Sequence, residues 1–453
     1  MLFNNITLLD IFKKDRDENL SWAIIGVIMV FLFIPYGIYT NVRPYALLVV
    51  LYSFLMTLLK KPGAPFVVMA MALCVPQYLF DDNDFFQWVI GSKTQWIFLT
   101  IRFGIVLSAI YSIIEGRKIF PFWGVVILSV LFCLILFLYE NVFDSIWKII
   151  NMLLYVHLFL VWCYYDKLSF ESVYRIISII FVCIFVYAIL QFHFNISPYR
   201  NWYLSANIGK EHIHASGISG NALIFAAIVL CYHSVLLLRF LKEDKINIVL
   251  LLMTLYAALI SIERTSILVI VIEWFVFFVM RKNMIKKNLI ILFLASFIII
   301  CAFSISSFDN TIDIFMDRFE EGSSHRFAAF PTVVAAISDN IYGVGESGVR
   351  RAMQWYGTSD LLKWFETLDN FYLTQILYYG VFAIFPLLFY LYYFIKAIFL
   401  RKTNKDLFHA ILLCFLPWIL IGFSFNINSF MQLSLLYYGV LGYLFSIYTE
   451  KIG

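Results

Sequence analysis

The residues of this chain that could do chemistry stand where apolar runs end. Arg264 lies in "ALISIERTSILVIV" (257–270), where two such runs meet at Ser261-Ile262-Glu263-Arg264-Thr265-Ser266. So short a turn keeps Arg264 near the surface of a bilayer. A guanidinium at that depth pairs, for instance with Glu263, snorkels to the headgroups, or serves a function. His325 and Arg326 precede a short apolar helix over Thr332–Ser338 in "EEGSSHRFAAFPTVVAAISDNIYGVGESGVR" (320–350). A histidine exchanges protons near neutrality, and an arginine offers a planar fork of donors that suits phosphate oxygens. The "NIYGVGES" that follows reads as a flexible Gly-rich turn carrying Glu346, and its GxG does not join a strand to a helix as a nucleotide motif would. Asp369 and Asn370 open "DNFYLTQILYYG" (369–380), which also holds Tyr372. They read either as a helix cap or as groups facing a substrate. His212 and His214 lack the third and fourth ligands of a zinc site. Arg102, inside "WIFLTIRFGIV", is expected to face the interior with a substrate or an acidic partner. Glu273, inside "VIEWFVFF", and the single histidines His157 and His233 read as structural.

The elements that must position these residues are membrane helices. The chain has 453 residues, 62% hydrophobic and 14% charged, where a soluble domain would be about half apolar and about a quarter charged. Long continuous apolar runs exclude a barrel, whose strands are short and alternating, and point to an all-α polytopic membrane bundle. About fourteen spans can be placed, near 21–40, 44–60, 63–80, 95–115, 119–139, 146–165, 173–193, 219–238, 246–261, 265–280, 288–308, 371–399, 407–425 and 429–447. They form one transmembrane domain over 1–453. Basic connections (Lys60 and Lys61; Arg117 and Lys118; Arg239, Lys242 and Lys245; Arg281, Lys282, Lys286 and Lys287; Arg401, Lys402 and Lys405) alternate with base-poor ones such as 81–88, 139–145 and 426–429. The positive-inside rule then puts both termini in the cytoplasm. No cleavable signal peptide is evident, so the first helix is expected to direct its own insertion. The seven cysteines all lie inside apolar runs and read as small core residues. Two outer segments stand apart, 193–221 and the large loop 309–370 before the twelfth span. That loop holds ten acids against five bases, so it is no polyanion-binding arm, and nothing else in the chain suggests nucleic acid. Trp355, Tyr356 and Trp364 in it suit the headgroup layer.

Taken in order, these elements resemble the O-antigen polymerase and O-antigen ligase superfamily of bacterial envelope enzymes. Relatives join two helices by a Ser-Arg-like turn, open the outer loop with an arginine, continue through a Gly-containing turn, and enter the next span through (H/D)N-x-y-L followed by glycine. Here these are Arg264, Arg326, "DNIYGVG" (339–345) and "DNFYLTQILYYG" (369–380). "HASGISGNALIFA" (214–226) is similar to a further element, with His214 where many relatives have arginine. The likeness covers roughly 190–400.

The resemblance implies a GT-C-like glycosyltransferase fold in the bacterial inner membrane, with the active site facing the periplasm. It implies transfer of a glycan from undecaprenyl diphosphate to a sugar hydroxyl, without a metal or other cofactor. Arg264 and Arg326 would bind the diphosphate, with His214, Asn370, Tyr372 and Arg102 as further substrate contacts. The general base would be Asp369, His325 or Glu346. Ligases tend to carry His before the Asn of the last motif, and Asp369 stands there instead, which argues for a repeat-unit polymerase of O-antigen, capsule or exopolysaccharide. The rivals are a ligase-like transferase to lipid A–core or protein, and a lipid-linked oligosaccharide flippase. Membrane lipids are expected around the bundle, and a chain-length regulator and a flippase are partners on the resemblance alone.

Overall fold

The structure is a computed structural model. It describes residues 20–39, 42–75, 92–116, 123–137, 155–194, 215–219, 221–243, 246–261, 263–281, 323–346, 348–357, 368, 370–423 and 431–449. The regular elements among them are all helices: α1 (Ser21–Tyr39), α2 (Val42–Leu58), α3 (Ala64–Leu73), α4 (Ser92–Gly116), α5 (Trp123–Leu136), α6 (Tyr155–Tyr165), α7 (Phe170–Phe194), α8 (Ala222–Glu243), α9 (Ile248–Ile260), α10 (Arg264–Met280), α11 (Ser323–Asp339), α12 (Val349–Tyr356), α13 (Phe371–Tyr379), α14 (Ile384–Leu400), α15 (Lys405–Ile421) and α16 (Met431–Thr449). Each expected span except 288–308 contains a described helix; 288–308 and parts of others, among them 76–80, 119–122 and 146–154, lie outside the described residues. Among the described residues four apolar stretches, Trp96–Glu115, Phe170–Phe194, Ala222–Glu243 and Phe371–Leu400, are long and apolar enough to cross a bilayer, and several shorter apolar helices accompany them.

Burial sorts the helices into an interior and a rim. All ten residues of α3 are buried, and so is α8 from Ile224 to Phe240. α16 packs against α6, α3 and α15. Around them, α2, α4 and α10 each expose one apolar stripe: Leu47, Leu51, Leu55 and Leu58; Leu99, Phe103, Leu107, Ile110 and Ile114; Leu268, Val271, Phe275 and Val279. The spacing of three and four residues is that of one helix face, and apolar faces open to the surroundings are what lipid requires.

Hydrogen bonds join helix ends that the basic-loop alternation assigns to one side. At the basic end, Lys60 pairs with Glu115 at 3.0 Å, Arg239 with Glu171 at 2.8 Å, and Asn404 donates to the Tyr448 carbonyl at 2.7 Å. Asp166 accepts the Gly63 backbone N–H at 2.9 Å and the Tyr443 hydroxyl at 2.6 Å. Gly63, with φ of 87°, opens α3 in a left-handed conformation, so the Asp166 carboxylate, just past the end of α6, ties the start of α3 to α16. At the opposite end, Gln432 bonds to the Val75 carbonyl.

The apolar run 371–399 is not one continuous α-helix. Gly380 (φ 53°, ψ −126°) breaks it, and a single 3-10 turn, Gly380–Ala383, leads into α14. The Phe371 N–H bonds to the Gly422 carbonyl at 2.8 Å, just past the end of α15. α14 and α15 are equally long and joined by a tight turn at 401–404. α13 therefore starts level with the outer end of α15 and finishes at the outer end of α14. Its nine residues cover about 13 Å, enough to bridge the two.

Asp166→Ala would leave the Gly63 N–H and the Tyr443 hydroxyl without their acceptor. Hydrogen bonds to a charged group contribute about 1.5–3 kcal/mol each, so for these two the expected loss is about 3–6 kcal/mol, read as a lower midpoint in thermal unfolding of the detergent-solubilised protein.

Candidate functional site

At the outer end of the bundle, the end opposite the basic connections, the helices that end or break there are tied to one another through their backbones. The first tie concerns the turn before Arg264. α9 ends in Ser261, whose hydroxyl donates to the Ala258 carbonyl at 2.7 Å and accepts the Glu263 N–H at 3.4 Å. Ser266 donates to the Glu263 carbonyl at 2.5 Å. Ser261 so occupies a carbonyl that the end of α9 leaves unpaired, Ser266 reinforces the Glu263 carbonyl that its own N–H also bonds, and α10 begins at Arg264 itself. The Ala215 N–H reaches across to the Ile260 carbonyl at 3.0 Å. Buried Gln191 holds the same strand of chain, accepting the Ser216 N–H at 3.1 Å and donating to the Gly217 carbonyl at 2.6 Å. Asn221 then caps α8 by accepting the Leu223 N–H at 2.8 Å. The element 214–226 and the turn 261–266 are thus one assembly.

The second tie joins the Gly-rich turn to the break at Gly380. The Val344 N–H bonds to the Leu377 carbonyl and that of Gly345 to the Tyr378 carbonyl, both at 2.9 Å, while the Val381 N–H bonds to the Ile341 carbonyl at 3.0 Å. A Cβ on Gly380 would lie 2.0 Å from the Ile341 carbonyl oxygen, and one on Gly343 would lie 2.5 Å from that of Tyr378. Glycine is required at both places because the backbones cross in contact, with φ of 53° and 87°. The expectation of a flexible turn is corrected here: its amides supply the partners that the broken helix lost. The Tyr342 and Phe382 rings stack at 5.8 Å beside the crossing.

The third tie is Asn370. Its side-chain oxygen accepts the Leu373 N–H at 3.0 Å, capping α13, and its amide donates to the Phe423 carbonyl at 2.9 Å. The Tyr372 hydroxyl donates to the Ile419 carbonyl at 2.9 Å. Both side chains therefore moor α13 to the outer end of α15.

The other expected site residues fall as follows. Arg264 is the first residue of α10, at the head of the register carrying Leu268, Val271 and Phe275. His325 and Arg326 do not precede a short helix but lie in the first turn of α11, which extends from Ser323 to Asp339. α11 packs on α13 and α12, and these two positions lie at the end of α11 away from the glycine crossing. Glu346 is exposed, in the turn between α11 and α12. There the Tyr356 hydroxyl donates to Asp339 at 2.8 Å, and that carboxylate holds the phenol above its ordinary pKa. Arg102 lies apart, on α4, with its guanidinium 5.3 Å from the Tyr155 ring centre of α6. His212, His214, Trp364 and Asp369 lie outside the described residues. Among the described residues no group of three His, Cys, Asp or Glu side chains could hold a metal.

Gln191, Gly422 and Phe423 are central to these ties and had no sequence signal, since their partners are 25 to 53 residues away. Chemically, the arrangement places a backbone-lined surface and the Arg264 turn at one end of an apolar bundle. Cations so placed suit a lipid-borne phosphate.

Gly380→Ala should be the most damaging single-carbon change in this region. The clash is with backbone that has no room to yield, so the expected loss is about 3 kcal/mol or more, seen as loss of folded protein on size-exclusion chromatography. Asn370→Ala, which removes a cap and one interhelical bond, should cost about 1–2 kcal/mol and leave a folded protein with a lower melting midpoint.

No curated protein matches the chain. Residues 248–390 match a family model described as O-Antigen ligase, a stretch that starts at α9 and runs through the Arg264 turn, the glycine crossing and the Asn370 cap into α14. That match, on a multi-pass bundle of apolar helices, supports a membrane glycan transferase of the O-antigen ligase and polymerase type.

Proposed function

We propose that this protein is a repeat-unit polymerase of a bacterial surface polysaccharide, an O-antigen, capsule or exopolysaccharide. The growing glycan passes from undecaprenyl diphosphate to a sugar hydroxyl on another undecaprenyl-diphosphate-linked repeat unit, at the periplasmic face of the inner membrane, with both termini in the cytoplasm. The observation that carries this reading is that the matched stretch 248–390 contains the Arg264 turn, α11 and α13, and that the helices bearing the Arg264 turn and the α13 cap, α10 and α15, pack on each other. In the transfer, the bond from the anomeric carbon to the phosphate oxygen breaks and negative charge grows on the leaving diphosphate. Arg264 and Arg326 meet that charge as preorganised donors. A base takes the proton of the acceptor hydroxyl, and Asp369, His325 and Glu346 are the candidates. Asn370 and Tyr372 hold α13 beside them.

The second reading, a ligase to lipid A–core or protein, is favoured by the family description, O-Antigen ligase. It shares donor and arginines and differs in acceptor. Asp369, in place of the histidine that ligases tend to carry, favours the polymerase.

Arg264→Ala and Arg326→Ala, each introduced into a strain deleted for the gene, should leave the protein at normal abundance on a membrane blot. Loss of one preorganised donor lowers turnover by roughly 100- to 1000-fold. The surface polysaccharide ladder on a gel should therefore collapse to a single repeat unit. A deletion strain that shows no repeat unit on the surface at all would favour the ligase. A ladder that persists in both variants would remove the arginines from the site.

A further inference from the structure

One buried polar cluster plays no part in the transfer itself. On α10, Glu273 is fully buried, and its Oε2 meets Nδ1 of the equally buried His233 of α8 at 2.6 Å. Its other oxygen bonds to the Ser234 hydroxyl. The Trp274 ring packs edge-on to His233 at 5.9 Å. α10 is otherwise apolar over this length, with Leu268, Val271, Phe275 and Val279 exposed on the opposite face.

Apolar helices in lipid have little to fix their depth or rotation, because the surrounding chains are as apolar as their neighbours. Directional bonds between polar side chains supply that constraint. Glu273 and Arg264 are separated by nine residues, two and a half helical turns or about 13 Å. Half a turn left over puts the two positions on opposite faces. Holding Glu273 inward against α8 turns the register of Arg264, Leu268 and Val271 outward, and it sets the height of Arg264 at the end of the helix. At the other end, the Arg281 guanidinium lies 4.3 Å from the Phe240 ring centre, a contact over a ring face that is less directional than a carboxylate bond.

We propose that Glu273, held by His233 and Ser234, is a positioning residue that fixes the depth and rotation of α10 and so places Arg264 at the outer surface, where a lipid-borne diphosphate arrives. The inference rests on the reading of Arg264 as a diphosphate ligand. It assigns the cluster no contact with substrate.

The test separates position from stability. Replacing a buried ionisable pair by apolar side chains is often neutral or stabilising, so the double variant His233→Leu/Glu273→Leu should melt at or above the parent's midpoint. With purified full-length protein and undecaprenyl-diphosphate-linked repeat units, its kcat should fall at least tenfold, since misplacement by about 1 Å can cost a hundredfold. Glu273→Gln, which can still accept from Ser234 and bond to His233, should stay within about threefold of the parent, as a hydrogen-bonding isostere keeps the geometry. An activity-independent readout uses Thr265→Cys, beside Arg264, and its rate of labelling by a membrane-impermeant maleimide. That rate should change at least threefold on adding the double substitution and stay unchanged on adding Glu273→Gln. Unchanged labelling in the double variant overturns the inference, and so does full turnover in a double variant that folds. A parent without glycan-transfer activity, in which labelling of the introduced thiol still shifts with the double substitution, would support the role of Glu273 in placing α10 while refuting the functional reading.

Discussion

A backbone amide in lipid must find its partner inside the protein, and the outer end of this molecule is built on that constraint. Helices may break or turn at membrane depth only where another segment supplies the missing bonds. Here three breaks are repaired in that way: the end of α9 by Ala215, the break at Gly380 by 341–345, and the start of α13 by Gly422 and Phe423. Each repair joins segments far apart in sequence. The stretches that carry the resemblance to glycan transferases are the ones engaged in these repairs, so the same residues that satisfy the backbone also locate the candidate chemistry.

α15 connects the two parts of that end. It packs on α10, which opens with Arg264, and on α8, which follows the 214–221 segment. Its own terminus holds Asn370, Phe371 and Tyr372. The Arg264 turn and the α13 bridge are therefore referenced to one helix, although more than a hundred residues separate them in the chain. Under the proposed function, a group that meets a diphosphate and a group that meets a hydroxyl need such a shared reference, since proximity contributes to rate only when the geometry is held.

How far the sequence shows this depends on the range of the interaction. Apolar runs register a local property, and they placed helices from Ser21 to Thr449 with few misplaced ends. The cap at Asn370 was legible because an Asn three residues before an apolar N–H is a local pattern. The glycine crossing was not. "YGVG" and "YYG" each read as a turn or a helix interior, and only their contact, 37 residues apart, shows why both need glycine. His325 and Arg326 were set outside a helix because the short apolar run was read from Thr332, whereas α11 starts at Ser323 and carries Pro331 in its interior. Glu273 read as structural, but its partner was invisible: His233 lies 40 residues earlier on another helix, in a run that looks uniformly apolar.

The placement of Arg264 at the head of an exposed apolar stripe brings the snorkelling and the functional readings together. At the membrane-surface depth expected for this turn, an arginine would be within reach of the phosphate layer, which the proposed polyprenyl diphosphate would share with the headgroup phosphates. Arginine binds either by the same fork of donors, so depth alone does not choose between them. What differs is preorganisation. A snorkelling arginine needs no fixed helix beneath it, while one that stabilises a leaving group must be held before the charge develops. The serine-capped turn above Arg264 and the Glu273–His233 bond below it hold the helix on both sides, which is the condition the chemical role requires and the anchoring role does not.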